Sequence, residues 1–262
     1  MTVPYLFNSH GLAAFAHYVT LETLFAFDLD GTLAPIVEDY SAAQISEPLR
    51  TTMRRLVNLA HVAVITGRSR KDAMCILGFE PHLLVGNHGS EWPDYDASRN
   101  DRHITLCQKW CNQLKLLLSD VHGVEYEFKG ESVTLHYRKA DDQENTVIRI
   151  TTAIRTLEPV PKIIGGKYVV NLLPREAVTK GDALVRALNT FTLERSIYFG
   201  DDVTDENVFR MSDVDVLGIH VGKNAQTAAD YYLKSQSELL GLLNSMVGIL
   251  ESLRIAVKKE ES

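Results

Sequence analysis

Residues 24–32 read Leu24-Phe25-Ala26-Phe27-Asp28-Leu29-Asp30-Gly31-Thr32, an apolar run that ends in two carboxylates one residue apart, then a glycine and a hydroxyl. A run without polar alternation fits a central strand of a parallel sheet, covered on both faces. Ligands of such sheets sit beyond the carboxyl ends of the strands. Two like charges this close repel, and burying them without a counter-charge costs several kcal/mol per ion. Two readings follow. The stretch is either an acidic turn, since Asp-Gly favours turns, or a pair of oxygen donors for a hard divalent cation. Mg2+ suits best, because it binds through one or two carboxylates, several waters and phosphate oxygens.

With 262 residues and 45% hydrophobic content, the chain can bury a substantial core. A net charge of -7, with no run of more than two Lys or Arg residues, argues against a nucleic-acid partner. Cys75, Cys107 and Cys111 form no Cys-x-x-Cys pair, and no Asn-x-Ser/Thr sequon occurs. Reduced thiols in a cytoplasmic protein are therefore expected, not a disulfide framework. Cys107 and Cys111, four apart on an expected helix, read as packed small hydrophobes before they read as metal ligands. The apolar run 11–19 has no basic lead and is broken by His17. It is expected to form a short helix, neither a signal peptide nor a membrane span.

Beyond Thr32, Leu49, Met53, Leu56 and Leu59 recur at helical spacing, with Ser46 placed to cap and Pro48 in the first turn. His61 to Ile65 forms a second short apolar strand, ending in Thr66-Gly67-Arg68-Ser69. Leu83 to Val85 forms a third, followed by Gly86-Asn87-His88-Gly89. The alternation predicts an α/β fold built on a doubly wound parallel sheet. It resumes with a helix over 180–189, a strand over 196–199 and a second acidic cluster, Gly200-Asp201-Asp202-Val203-Thr204-Asp205-Glu206. Strands over 214–221 and 231–233 follow, and an amphipathic helix over 237–257 packs on the sheet. Between the two halves come a polar turn (94–101), a helix (104–118), strands (124–129, 132–138) joined through Lys129-Gly130-Glu131, a helix (143–157) and strands (162–164, 167–173). This block predicts a small α/β domain over 95–174, a lid candidate, inserted into a core made of 1–94 and 175–262.

Polar groups thus collect at four strand or helix ends: Asp28 with Asp30, Thr66, Lys180, and Asp201 to Asp205. Singly, Thr66-Gly67 reads as a strand end, Lys180 as a solvated lysine and the acidic run as a helix cap. Together and in this order they resemble the four motifs of the haloacid dehalogenase superfamily of phosphotransferases. The insert falls where that superfamily places a C2-type cap on its Rossmann-like core. More narrowly, residues 28–35, 64–69, 86–91, His136-Tyr137-Arg138 and 200–206 resemble the trehalose-6-phosphate phosphatases.

The resemblance implies a Mg2+-dependent phosphatase of a sugar phosphate, trehalose 6-phosphate first. Asp28 is then the nucleophile and Asp30 the acid/base, with Thr66 and Lys180 gripping the phosphoryl group. The implied metal ligands are an Asp28 oxygen, the backbone carbonyl of Asp30, and Asp201, with Asp202 a competitor for the last place. Asp205 would orient that shell or Lys180. Gly67, Arg68 and His88 are candidate substrate contacts in the core, although His88 reads equally as a structural histidine. Glu127, Lys129, His136, Arg138, Lys167 and Asn171 are the candidates in the cap, the first four with an exposed charged hairpin face as their alternative. The chain departs from the family at Asn171-Leu172-Leu173-Pro174, where a Glu-hydrophobic-Arg-Pro pattern is common. Asparagine accepts sugar hydroxyls without a full charge, so a glucose contact there is expected to be weakened or replaced. The alternative substrates are sucrose-type or glycosyl-glycerate-type phosphates. A glycosyltransferase using Asp-x-Asp leaves Thr66, Lys180 and the second acidic cluster unexplained, and a silent sugar-phosphate sensor is argued against by the full nucleophile and acid/base pair. No nucleic-acid or membrane partner is expected.

Overall fold

The computed structural model describes residues 3–37, 42–94, 101–166, 168–175 and 178–260, the side chains of residues 101 and 260 excepted. In chain order the elements are α1 (Ser9–Tyr18), β1 (Thr23–Phe27), α2 (Glu47–Leu59), β2 (Val62–Ile65), α3 (Arg70–Leu77), β3 (Leu83–Val85), α4 (Asp101–Leu117), β4 (Glu125–Phe128), β5 (Val133–His136), α5 (Gln143–Ile154), β6 (Lys162–Gly166), β7 (Val169–Leu173), α6 (Lys180–Phe191), β8 (Arg195–Gly200), α7 (Glu206–Phe209), β9 (Asp215–Val221), β10 (Tyr231–Leu233) and α8 (Leu239–Glu260). They divide into two compact units, Met1–Pro93 with Thr179–Ser262, and Asp94–Val178.

The first unit is built on a six-stranded sheet of order β10-β9-β8-β1-β2-β3. Every neighbouring pair is parallel. β1 is buried throughout because the sheet is covered on both sides. Phe25, Phe27, Val62, Val64, Ile197 and Phe199 join one core with Phe15 of α1, Met53 of α2, and Leu243, Met246 and Leu250 of α8. Leu24, Ala26, Ala63, Ile65 and Tyr198 join the other with Ala183, Leu184 and Ala187 of α6. Each buried Leu or Phe stabilises by roughly 1.5–3 kcal/mol, so the apolar run of β1 is set by packing. Among the described residues, 236–259 is the one helical stretch long and apolar enough to cross a membrane. Its apolar stripe packs into the sheet's core from Leu239 to Leu250, whereas Leu253, Ile255 and Val257 are exposed, so the expected packing of 237–257 holds only for the first part of the helix.

One local reading needs correcting. Ser46 precedes α2 but makes no side-chain capping bond. Pro48 removes one of the N–H groups such a cap would serve. Helix α3, of eight residues, gives little periodicity in the sequence. Its signals are Ser69, whose side chain accepts from Asp72 N, and Gly78, which ends it at φ 62°.

The second unit is a four-stranded antiparallel sheet of order β4-β5-β7-β6. Helices α4 and α5 cover one face, where Cys107, Trp110, Cys111 and Leu114 meet Val133, Leu135, Ile150, Val170 and Leu172. Alternation turns Glu127, Thr134 and Asn171, paired in one cross-strand row, to the other face. β7 begins at Val169, not 167, because Tyr168 turns at φ 64°.

Candidate active site

β1 and β8 are neighbours with Phe27 opposite Phe199, so Asp28 and the acidic loop after Gly200 emerge side by side. The chain runs outward from β1 through β2 to β3 on one side and from β8 through β9 to β10 on the other. Asp28 therefore stands at the switch point of a doubly wound sheet, where such folds bind their ligands.

Lys180 opens α6 behind a reciprocal capping box of Thr179 and Asp182. Its ammonium lies 2.9 Å from Asp28 Oδ1 and 2.8 Å from Asp205 Oδ1, and its side chain is 2% exposed. Asp205 is wholly buried and takes four donors. Its Oδ1 also accepts from the Tyr198 hydroxyl at 2.8 Å, and its Oδ2 accepts the backbone N–H groups of Asp201 (3.0 Å) and Asp202 (2.9 Å). Gly200 leaves room for this, since a Cβ there would sit 2.3 Å from Asp205 Cγ. The acidic run is thus not a cap on α7: Asp205 makes no capping bond to that helix.

One carboxylate oxygen each from Asp28, Asp201 and Asp205 lie within 4.8 Å of one another. Three carboxylates around one ammonium leave two negative charges uncompensated. Burial pushes the Asp28 carboxyl up to about 7, with Asp205 and Asp30 adding to the rise and Lys180 opposing it. Asp201 is raised well above the usual carboxylate range by burial, then by Asp28 and Asp205. Lys180 is raised although burial alone would lower it, because Asp205 and Asp28 favour its charged form. The shortfall is that of one divalent cation, and hard oxygen donors suit it. Asp205 is committed to its four donors, and Asp202 turns its Oδ1 back to Val203 N at 2.7 Å. Asp28 and Asp201 keep carboxylate oxygens that could hold such an ion. Gly31 lies against Asp201 at φ 83°, where a Cβ would meet Asp201 Oδ2 at 1.9 Å.

The carboxylate of Asp30 points elsewhere, into a two-pronged ion pair with Arg68, Nε to Oδ2 at 2.7 Å and Nη2 to Oδ1 at 2.6 Å. Thr66 directly follows β2, which lies beside β1, and is fully buried. Its hydroxyl oxygen accepts from Arg68 N at 3.2 Å, and its carbonyl accepts from His88 N at 2.9 Å. Gly67 is the floor under His88, since a Cβ at Gly67 would lie 2.4 Å from the imidazole.

The remaining candidates lie in the second unit. Glu127 Oε2 is 2.9 Å from His136 Nε2 and 3.5 Å from Lys129 Nζ. Burial would raise the Glu127 carboxyl, but His136 and Lys129 hold it below its usual value. Asn171 Oδ1 accepts from the Thr134 hydroxyl at 2.7 Å, and its amide donates to Ile164 O at 3.4 Å. Arg138 lies over the Tyr168 ring, 5.6 Å from its centroid. Lys167 lies outside the described residues. Sequence reasoning missed Tyr198, which reads as an ordinary strand aromatic. It also missed Gln236, whose amide donates to Thr32 O at 2.9 Å across 204 residues of chain.

The family model described as Trehalose-phosphatase matches residues 26–237. The trehalose-phosphate phosphatase of Mycobacterium tuberculosis is 32% identical over 206 residues, 74% of this chain and 51% of that protein. The chain thus spans about half the length of the mycobacterial relatives it matches. The trehalose-6-phosphate phosphatase of Escherichia coli K12 is 26% identical over 235 residues, covering 87% of this chain and 88% of that one. Among solved structures, the C-terminal domain of Candida albicans trehalose-6-phosphate phosphatase superposes with a TM-score of 0.72 at 21% identity, over 94% of this chain and 98% of that one. A Synechocystis sucrose-phosphatase in complex with sucrose and phosphate gives a TM-score of 0.57 at 17% identity, over 87% and 98%. The shared fold is the doubly wound α/β sheet with an inserted α/β block.

Proposed function

The chain belongs to the trehalose-phosphatase family, and from that premise we propose that it hydrolyses trehalose 6-phosphate to trehalose and phosphate, with Mg2+ bound and an aspartyl-phosphate formed on Asp28. The observation that carries the reading is the Lys180 ammonium set between Asp28 and Asp205, with Asp201 completing the acidic cluster. Phosphoryl transfer asks chiefly for positioning and for positive charge around the equatorial oxygens. Lys180 supplies one such charge and the Thr66 hydroxyl a neutral donor.

In the first half-reaction an Asp28 oxygen bonds to phosphorus as the bond to the sugar oxygen breaks, and Asp30, having taken up a proton on an oxygen released from Arg68, gives that proton to the sugar oxygen. In the second, Asp30 takes a proton from the water that attacks phosphorus. The bond to Asp28 then breaks and phosphate leaves. Arg68 fixes the plane of the Asp30 carboxylate through its two-pronged bond. Mg2+, held by Asp28, Asp201 and the backbone carbonyl of Asp30, would supply the positive charge the cluster lacks.

Sugar recognition falls to the second unit: Glu127 with His136 and Lys129, together with Arg138, Lys167 and Asn171. Gly67, Arg68 and His88 belong to the phosphate side. The neutral amide of Asn171, tied to Thr134 and Ile164 O, favours one second reading, a sucrose-type or glycosyl-glycerate-type phosphate. A cytoplasmic location is supported by Cys107 and Cys111, buried as free thiols.

The test is phosphate release from a panel of sugar phosphates, with and without Mg2+, using Asp28→Asn as the control. Fastest release from trehalose 6-phosphate, dependent on Mg2+ and absent in the variant, is expected. Faster release from sucrose 6-phosphate would favour the second reading, and release from none would overturn both.

A further inference from the structure

One of the four donors to Asp205 comes from a residue that the reaction above does not use. Tyr198 lies in β8 with its ring buried on the α6 side of the sheet, edge-on to Phe209 with centroids 5.8 Å apart. Phenylalanine would fill that space as well. The hydroxyl, however, donates to Asp205 Oδ1 at 2.8 Å, the oxygen that also receives the Lys180 ammonium at 2.8 Å. Lys180 is shared, because Asp28 Oδ1 stands 2.9 Å from the same nitrogen. A second donor on Asp205 Oδ1 takes up part of that oxygen's charge and loosens its hold on the ammonium. Without it, a fully buried carboxylate would draw Lys180 to itself and away from Asp28. The phenol keeps its proton, since burial and the neighbouring Asp205 raise it well above the usual tyrosine range.

We propose that Tyr198 is a positioning residue, whose hydrogen bond to Asp205 sets how Lys180 is divided between Asp205 and Asp28. The inference rests on the phosphatase reading of Asp28 and Lys180. It extends that reading by giving a strand residue behind the site control over the site's cation.

Tyr198→Phe keeps the ring and removes the bond. In the full chain with Mg2+, kcat on the best sugar phosphate is expected to fall about tenfold, the low end of what a hydrogen bond to a charged group carries, with KM little changed. Affinity for beryllium trifluoride, a mimic of the phosphorylated carboxylate, is expected to fall by a similar factor when titrated calorimetrically with Mg2+. A tyrosine that only packs would move the melting temperature and leave both values at the wild-type level per folded site. Should the phenylalanine variant not fold, Tyr198→Met fills the space without a donor and is read the same way. Wild-type kcat and beryllium trifluoride affinity in the variant would overturn the inference and leave the phosphatase reading standing. A wild-type chain that releases no phosphate from any sugar phosphate overturns both.

Discussion

Arg68 grips both carboxylate oxygens of Asp30, at 2.7 Å and 2.6 Å, while Asp28, two residues earlier, is bound by Lys180. Two carboxylates of one short motif therefore face different cations and can carry different tasks. A guanidinium holds a carboxylate in a plane, whereas an ammonium holds it at a point. Arg68→Lys should therefore keep the charge and lose the alignment. We expect kcat to fall roughly tenfold in Arg68→Lys and by about 10²–10⁴ in Asp30→Asn, the usual size of an acid/base contribution. Steady-state phosphate release checks both, and equal kcat in Arg68→Lys and wild type would remove the alignment role.

The acidic cluster should make the metal-free protein pH-sensitive. The Asp28 carboxyl rises from 3.8 to about 7 on folding, chiefly through burial. A raised carboxyl contributes stability that is complete below its unfolded pKa and is lost as pH rises through the folded one. With the metal chelated, stability should decline between about pH 4 and pH 7. Mg2+ should restore little at pH 5 and much at pH 8. Melting curves in chelator and in Mg2+ at the two pH values measure this, and an equal Mg2+ effect at both would exclude the charge shortfall as its cause.

How far the site could be read from sequence follows from what each residue had to do. β1 was legible because burial on both faces demands an unbroken apolar run, and Asp28 because carboxylates at its end need a cation. The choice between Asp201 and Asp202 was not legible. What sets the two apart is that Asp202 accepts Val203 N–H through its Oδ1, while Asp201 lies against Gly31. Tyr198 was hidden because an aromatic in a strand looks like core, and only its hydroxyl, bonded to Asp205, sets it apart. Gln236 was hidden because its partner, Thr32 O, is brought to it only by the folded sheet. In the second unit the hairpin at Gly130 was readable from its turn residues. The pairing of Glu127 with His136 depends on cross-strand position, which alternation leaves undetermined.

Two glycines should be intolerant of alanine for different reasons. At Gly31, with φ 83°, a methyl group would lie 1.9 Å from Asp201 Oδ2 and must displace that carboxylate. At Gly200 it would lie 2.3 Å from Asp205 Cγ and push out the residue that anchors Lys180. Gly31→Ala is expected to weaken Mg2+ binding at least tenfold, and Gly200→Ala to lower kcat through Lys180. Calorimetric Mg2+ titration and steady-state kinetics separate the two. Unchanged Mg2+ affinity in Gly31→Ala would argue that Asp201 is not a ligand.

Glu127 tests whether the second unit reads the sugar. Its carboxylate stays charged at neutral pH, because His136 and Lys129 hold its pKa below the usual value against the opposing effect of burial. A charged acceptor suits sugar hydroxyls, and losing one charged hydrogen bond costs on the order of 1.5–3 kcal/mol. Glu127→Gln keeps the shape and removes the charge. We expect KM for trehalose 6-phosphate to rise about tenfold or more, while kcat/KM for p-nitrophenyl phosphate, which has no sugar, stays at the wild-type value. The contrast between the two substrates is the measurement. A rise shared by both would mean that Glu127 supports the phosphate chemistry or the fold. No rise for either would reduce the pair with His136 to a partly buried ion pair on a hairpin.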